Sequence, residues 1–239
     1  MNMPSAAADN SPVRHSKASS RYDSDVIRQD AYDRTWALLK LVGTGKRVLE
    51  VGCSTGYMSR HLMQRNCSVT GIEVDTDAAE KARHYCREVL IRDLNAPDWM
   101  AGISKRTFEA VLLGDVLEHL VDPAAVLMQI GTLLHEDGSV VISLPNVVHW
   151  ITRLKILLGR FDYQPTGTLD HTHLRFFTVK AARKLIEDSG YRITKFHPAI
   201  GGRLSGHARP IWQWLARWLP GLFAYQLLFE AKTWARRQE

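Results

Sequence analysis

The sequence has few cysteines and no apolar leader at its start. Its 239 residues include three cysteines, Cys53, Cys67 and Cys86, without a CxxC pair or a nearby zinc pattern. This usage predicts reduced thiols and a cytoplasmic location rather than a disulfide framework. Residues 1–24 lack the continuous apolar core of a secretory signal, and their Ala-, Ser- and Asp-rich composition predicts a disordered tail.

Acidic residues are scarce toward the end of the chain. The formal net charge is +6. From His197 onward the sequence contains six lysine or arginine residues and only two acidic ones, Glu230 and Glu239. Most of the positive excess therefore lies in the last part, while the central part is close to neutral. We expect no nucleic-acid partner from this distribution, because basic and aromatic residues are not interleaved as in a separate RNA-binding module.

Short β-branched runs alternate with helical patterns along most of the chain. A first helix is predicted at 26–41. Further helices are predicted at 56–65, 77–86 and 122–134, the last two opening on Asp77 and Asp122-Pro123 as caps. The predicted strands are 47–51, 68–74, 88–91, 108–113, 139–144, 191–196 and 224–231. Such alternation predicts βαβ units and a parallel sheet covered on both faces.

The chain length suits one domain with additions. We expect that domain at 25–239. After the fifth strand the alternation stops, which predicts an insertion at 146–178 beside the substrate, with a short helix at 147–158, before a helix at 179–189. A second, amphipathic insertion is predicted at 198–223, between the last two strands.

The stretch VLEVGCSTGYMS places two glycines at the first strand-to-helix turn. Such turns present bare N–H groups and the positive end of a helix dipole to a ligand. A phosphate-binding P-loop would need Gly-Lys-Ser/Thr, but Tyr57 and Met58 follow Gly56. A dinucleotide fingerprint would need glycine where Ser54 and Tyr57 stand. A nucleoside ligand without phosphates remains.

The pattern Glu50-x-Gly52-x-Ser54-x-Gly56 resembles the first motif of class I S-adenosyl-L-methionine-dependent methyltransferases. The resemblance implies a Rossmann-like α/β fold with a mostly parallel seven-stranded sheet whose last strand is antiparallel. It also implies S-adenosyl-L-methionine as cofactor. Ser54 replaces the family's usual glycine, and if that position needs a positive φ, serine adds strain of order 1 kcal/mol.

Further acidic residues extend this resemblance. Glu73 ends the second strand and is expected to accept hydrogen bonds from the ribose hydroxyls. Asp93 resembles the family's partner of the adenine amino group, and Glu50 would orient the methionine ammonium. The backbone of residues 52–56, including Cys53, would approach the amino-acid end of the cofactor, and Asp115 completes the expected cofactor-binding set.

Asp115-x-x-Glu118-His119 follows the fourth strand, where the acceptor is expected. It resembles the E-x-x-E-H cluster of ubiquinone-biosynthesis O-methyltransferases and small-RNA 2′-O-methyltransferases, which ligates a divalent metal. Two interpretations stay open: a metal on Asp115, Glu118 and His119, or a His119 that lines the pocket without metal. The Asp/Asn-Pro-Pro-Tyr/Phe signature of base and amide N-methylation is absent.

The stretch LDHTHLRFFT supplies two more histidines, His171 and His173. It resembles a segment of bacterial methyltransferases linked to sugars, polysaccharides and secondary metabolites. Since the unperturbed pKa of histidine is about 6.5, His119, His171 and His173 are candidate general bases. A surface loop anchored by Phe176 and Phe177, with solvated histidines, is the alternative.

Residues 209–223 carry an amphipathic stripe rich in tryptophan. We expect it to close over the substrate as a lid; peripheral membrane contact is the alternative, and a transmembrane span is not expected. The sequence thus predicts O-methylation of a small-molecule acceptor, such as a sugar, a polysaccharide precursor or a quinone-like compound. An RNA methyltransferase and a non-catalytic S-adenosyl-L-methionine-binding protein are the alternatives.

Overall fold

The computed structural model describes residues 34–201 and 208–234. The strands are β1 (Arg47–Val51), β2 (Ser68–Glu73), β3 (Glu88–Ile91), β4 (Phe108–Gly114), β5 (Leu134–Pro145), β6 (Tyr191–Ala199) and β7 (Gln226–Thr233). The helices are α1 (Arg34–Val42), α2 (Tyr57–Met63), α3 (Thr76–Ala82), α4 (Pro123–Gly131), α5 (Trp150–Leu157), α6 (Val179–Asp188), α7 (Arg209–Trp218) and α8 (Pro220–Phe223), with a 3-10 turn at Leu117–His119. The predicted tail 1–24 and the start of the predicted helix 26–41 lie outside the described residues.

The seven strands form one sheet in the order β3-β2-β1-β4-β5-β7-β6. Strands β1 to β5 pair in parallel, and β7 is antiparallel to both of its neighbours. The predicted fold class is therefore confirmed. The strand order reverses between β1 and β4, and ligands of such sheets bind at the carboxyl ends of the strands beside that reversal.

Alternating side chains of the central strands bury two cores, one on each face of the sheet. On one face Leu49 and Val111 pack with residues of α4 and α6. On the other face Val48 and Leu112 pack with α1 and α2. Because successive strand residues point to opposite faces, an unbroken apolar run supplies side chains to both cores.

Several predicted boundaries are wrong, among them those of β5, α4, β6 and α3. Strand β5 begins at Leu134 rather than 139, because Leu134 already pairs with Phe108, and α4 accordingly ends at Gly131. Strand β6 continues past 196 through Pro198. Proline is tolerated there because β6 is an edge strand, where a missing N–H leaves no ladder bond unmade. The cap of α3 is Asp75 rather than Asp77, since the helix starts one residue earlier.

The predicted insertion 146–178 follows β5, whereas the predicted insertion 198–223 begins within β6, which ends at Ala199. Residues 146–178 contain α5 and a loop that bridges back to Asn146 through Phe177. Among the described residues, no helix is long and apolar enough to cross a bilayer.

Gly71 in β2 offers a test of the packing beneath the first turn. A Cβ at this position would lie 2.7 Å from Cys53 Sγ and 3.3 Å from Cys86 Sγ. We expect Gly71→Ala to lower the free energy of unfolding by about 1–3 kcal/mol in urea titrations, as other overpacked cores do. Gly114→Ala is the matched control, because a Cβ there would meet nothing within 4 Å. Equal stability of the two variants would contradict this account.

Candidate functional site

The turn between β1 and α2 follows a left-handed path. The φ angles are 70° at Gly52, 49° at Ser54 and 84° at Gly56. Glycine adopts this region freely, whereas Ser54 carries backbone strain there. A Cβ on Gly52 would lie only 2.7 Å from Val116 Cγ2. The missing side chain thus lets the turn approach the loop that follows β4.

Glu73 ends β2 and faces this turn. Its Oε2 accepts the Ser54 N–H at 2.7 Å, and its Oε1 accepts the N–H groups of Val74 and Asp75 at 2.9 and 3.0 Å. A carboxylate offers about four acceptor sites, so these three bonds leave about one for a ligand hydroxyl. Glu73 therefore lies against the turn 52–56 through its bond to Ser54, and its contact with the ribose stays a prediction.

Asp93 is exposed in the loop that follows β3. Its carboxylate accepts the N–H of Asn95 at 2.9 Å, and the Asn95 side chain in turn accepts the N–H of Val121 at 2.9 Å. This second bond ties the loop after β3 to the segment that follows β4. Asp93 is thereby held at the carboxyl edge of the sheet, where a contact with adenine stays a prediction.

Glu50 and Cys53 lie beneath the turn. Glu50 is buried, and the Ser59 hydroxyl of α2 donates a hydrogen bond to its carboxyl group. Burial raises the pKa of Glu50 to about 8, so that the group is mostly protonated at neutral pH. Cys53 is also buried, and its thiol points toward Gly71. Any contact of Cys53 with a cofactor would therefore use its backbone.

Asp115 opens the loop after β4 in a left-handed conformation, with a φ of 57°. Its carboxylate forms an ion pair with Arg34 of α1 and accepts the Ser143 hydroxyl at 2.6 Å. Both oxygens thus have partners within the protein. The predicted metal-ligand set of Asp115, Glu118 and His119 needs a correction, because these contacts hold Asp115 outside the cluster that the other two residues form.

Glu118, His119 and His173 form that cluster. One ligand atom from each lies within 4.8 Å of the others. The Glu118 side chain is fully buried, and neither carboxylate oxygen has a hydrogen-bond partner. Burial, followed by the charge of Asp115, raises the pKa of Glu118 well above its usual value. His173 thus takes the place that the sequence had given to Asp115.

Backbone contacts fix the two loops that carry the cluster. The carbonyl oxygen of Glu118 accepts the N–H groups of Leu174 and Arg175 at 2.8 and 3.0 Å. His119 Nδ1 lies 3.2 Å from the carbonyl oxygen of Thr172. The 3-10 turn after β4 and the loop 168–178 are therefore held together as one unit.

The hydrogen bonds of the two histidines determine which ring nitrogens remain free. His173 Nδ1 lies 3.3 Å from the carbonyl oxygen of Thr168, a contact that requires Nδ1 to donate. In the neutral ring the lone pair is then on Nε2, which lies 4.0 Å from Glu118 Oε1. Burial lowers the pKa of His173 and favours this neutral ring. His119 Nδ1 likewise lies within donating distance of a carbonyl oxygen, that of Thr172, which in the neutral ring leaves the lone pair on Nε2.

His171 lies outside the cluster. Its side chain is 65% exposed, and its Nδ1 lies 3.6 Å from Asp170 Oδ1. The same oxygen of Asp170 accepts the N–H and the hydroxyl of Thr172. Among the histidines considered as bases, the structure brings His119 and His173 together, with ring centroids 4.9 Å apart, and leaves His171 in solvent.

Sequence reasoning missed two partners of the site, Arg34 and Ser143. They pair with Asp115 across 81 and 28 residues of sequence, respectively. Arg34 lies within a helical sequence pattern and Ser143 lies within a strand pattern. No local motif marks either residue as part of a site.

Comparison with known proteins assigns the family. Residues 22–195, well over half of the chain, match a family described as a methyltransferase domain. The chain belongs to this methyltransferase family. The predicted enzyme class, an S-adenosyl-L-methionine-dependent methyltransferase, and the predicted cofactor are thereby confirmed.

Among curated proteins, this methyltransferase is similar to ubiquinone biosynthesis O-methyltransferases. The protein from Aeromonas salmonicida is 30% identical over 152 residues, which cover 61% of this chain and 63% of that protein. The protein from Idiomarina loihiensis is 27% identical over 171 residues, which cover 67% and 70% of the two chains. The methyltransferase therefore spans less than two thirds of the Aeromonas protein.

Solved structures share the fold of this methyltransferase. An S-adenosylmethionine-dependent methyltransferase from Mesorhizobium loti superimposes with a TM-score of 0.57 at 18% identity, covering 82% of this chain and 94% of that chain. One from Archaeoglobus fulgidus gives a TM-score of 0.56 at 16% identity, with 81% and 88% covered.

The raised pKa of Glu50 predicts a pH-dependent stability. Between the usual pKa of 4.5 and about 8, the unfolded methyltransferase releases a proton that the folded one keeps. The contribution of Glu50 to stability is therefore complete below pH 4.5 and is lost as pH rises toward 8. We expect Glu50→Gln to resemble the wild type near pH 4.5 and to be more stable near pH 8.

The expected gain near pH 8 is several kcal/mol, since one unit of pKa shift corresponds to about 1.4 kcal/mol. Urea unfolding without cofactor at a series of pH values measures it. Ser59→Ala, which removes the hydroxyl donor but keeps the carboxyl group, should retain the pH dependence. Parallel pH profiles for the wild type and Glu50→Gln would rule out the protonated state.

Proposed function

We propose that this methyltransferase transfers the methyl group to an oxygen of a small-molecule acceptor held beside Glu118, His119 and His173. The observation that carries the proposal is the buried Glu118 carboxylate, whose two oxygens have no hydrogen-bond partner. Two histidines lie close to it, one of which turns an acceptor nitrogen toward it. A buried acceptor without a partner is costly, so the arrangement requires a proton or a cation.

A divalent cation fits these donors. Imidazole nitrogen is a ligand of first-row divalent metals, and carboxylate oxygen binds these metals as well as Mg²⁺. Glu118, His119 and His173 would hold the ion, which would lower the pKa of an acceptor hydroxyl. The hydrogen bonds from the two Nδ1 atoms to Thr168 and Thr172 would orient the rings for this task, as outer partners of metal-bound histidines do.

The turn 52–56 and Glu73 would hold the cofactor at the adjacent strand ends. The fit rests on chemistry that the structure displays: a left-handed turn without side chains at Gly52 and Gly56, and one remaining acceptor site on Glu73 for a ribose hydroxyl. S-adenosyl-L-methionine supplies a sulfonium methyl group there. The protein would then align the acceptor oxygen with it.

An apolar wall beside the cluster favours a quinone-like acceptor. His173 packs against Phe176, and Phe176 packs against Phe161, with ring centroids 6.3 and 5.9 Å apart. A flat aromatic acceptor could lie against such rings while its hydroxyl faces Glu118. The names of the curated relatives, ubiquinone biosynthesis O-methyltransferases, support the same class.

We also infer a cytoplasmic location, as the sequence analysis predicted. All three cysteines are free thiols in the structure, a state that a reducing compartment maintains.

The placement of the cofactor is tested at Glu73. We expect Glu73→Ala to lose the thermal stabilisation that S-adenosyl-L-methionine gives the wild type, because the ribose would lose its acceptor. Ligand at about 100 times its dissociation constant should add about 2.7 kcal/mol of stability to the wild type. Glu80→Ala, which changes an exposed glutamate paired with Arg83 on α3, is the control. An undiminished shift in Glu73→Ala would contradict the placement.

The acceptor site is tested by comparing two neighbouring histidines. We expect His173→Ala and Glu118→Gln to lower the transfer of labelled methyl groups to a catechol by roughly 10²–10⁴-fold, as expected when an essential proton-accepting or ligand group is removed. The exposed His171→Ala should retain nearly full activity.

The same assay decides whether a cation takes part. A chelator should reduce wild-type transfer, and added Mg²⁺ or Mn²⁺ should restore it. Equal losses in His171→Ala and His173→Ala would contradict the proposed site. A full thermal shift with S-adenosyl-L-methionine, but no transfer to any catechol or sugar hydroxyl, would favour the non-catalytic alternative.

A further inference from the structure

Helices α5 and α7 expose large apolar side chains to solvent. Leu157 is 82% exposed and Trp218 is 72% exposed. We call the following set the apolar face: Ile151, Leu154, Leu157, Leu158, Ile211, Trp214, Trp218 and Leu219. Side chains of this size are seldom left in water in such numbers unless the surface binds something.

The two helices contact each other directly. Trp150 of α5 stacks on Trp212 of α7, with ring centroids 5.9 Å apart and planes 21° from parallel. Trp212 also packs against Phe223 of α8 at 5.5 Å. These partly buried contacts use one side of α7, while Ile211, Trp214 and Trp218 recur at helical spacing on the exposed side. The apolar face is therefore held in place by a packed layer beneath it.

The segments that carry the apolar face contain basic residues and no acidic ones. No Asp or Glu occurs between Asp137 and Asp162, or between Asp188 and Glu230. Arg153, Arg160 and Arg217 are exposed on or beside the two helices. The surface thus combines tryptophan and leucine with positive charge, which is the composition of helices that lie in the headgroup region of anionic membranes.

We propose that the apolar face is a docking surface for an anionic phospholipid bilayer. Helices α5 and α7 lie in the plane of the interface, with the apolar side chains among the acyl chains and the arginines at the lipid phosphates. A second copy of the chain is the less suitable occupant, since a two-fold contact would bring arginines of one copy against those of the other. The predicted lid role of 209–223 is not needed to explain the exposed tryptophans.

Phe161 links the end of α5 to the proposed acceptor site. Phe161, which follows α5, contacts Phe176, and Phe176 contacts His173. An acceptor with an apolar tail could remain in the bilayer while its hydroxyl reaches Glu118 and His173. This extension to a membrane-held acceptor rests on the proposed function, whereas docking on vesicles does not.

Vesicle sedimentation with the full chain tests the docking surface. We expect binding to vesicles of phosphatidylcholine with phosphatidylglycerol, weak binding to phosphatidylcholine alone, and a loss of binding at high salt. Trp214→Glu/Trp218→Glu should lower the fraction bound at least tenfold. Arg153→Gln/Arg217→Gln should lower it on anionic vesicles only. Circular dichroism verifies that the variants fold.

Trp234→Glu is the matched control, because Trp234 is an equally exposed tryptophan at the end of β7, away from both helices. It should bind vesicles as the wild type does. Equal binding of Trp214→Glu/Trp218→Glu and the wild type would overturn the proposal. So would a wild-type dimer that becomes monomeric in that variant without any binding to vesicles. Vesicle binding without methyl transfer would leave the docking surface intact and count against the proposed function alone.

Discussion

The parallel alignment of strands β1 to β5 governs the chemistry of this protein. It brings four loops, and with them five carboxyl groups, to one edge of the sheet. Carboxylates so close together repel one another, so the negative charge of each must be removed by a proton or balanced by hydrogen-bond donors or a positive charge. Glu50 keeps its proton, Glu73 accepts three backbone N–H groups, and Asp115 pairs with Arg34 and Ser143. Burial also raises the pKa of Glu118, but neither of its carboxyl oxygens has a hydrogen-bond partner within the described residues, whereas Glu50 accepts the Ser59 hydroxyl. The proposal of a cation beside Glu118 rests on this difference between the two buried carboxyl groups and not on the resemblance to known enzymes.

Much of the fold was predictable because local pattern and tertiary environment agree. Strands β1 and β3 have the predicted bounds, since each is a short apolar run between polar residues. The errors arise where a non-local contact decides. Leu134 is a strand residue only because Phe108 lies beside it, and Pro198 is tolerated only because β6 has no outer neighbour among the described strands. Neither fact is encoded within a few residues of the boundary.

The candidate site was predictable to the level of its motifs. Positions 50–56, 73 and 93 lie at strand ends, and the sequence shows where strands end. The grouping of side chains was harder to obtain. His173 reaches Glu118 because two backbone N–H groups of its loop bind the Glu118 carbonyl oxygen, a contact that depends on how 168–178 docks. Asp115 leaves the cluster because Arg34 of α1 reaches it. In both cases the position of the side chain depends on a residue that is far away in sequence and is not part of any recognisable motif.

The position of β7 has a consequence for how the chain acquires this structure during synthesis. β7 is the last of the described strands in sequence, yet it lies between β5 and β6. Until residue 233 has left the ribosome, β6 has nothing to pair with, and the apolar edge of β5 stays open. At about 5–20 residues per second, the chain from the end of β6 to the end of β7 takes roughly 2–7 s to make. Open strand edges of this kind recruit other chains. The nascent protein therefore passes through a brief interval in which the edge of β5 is open to pairing with other chains.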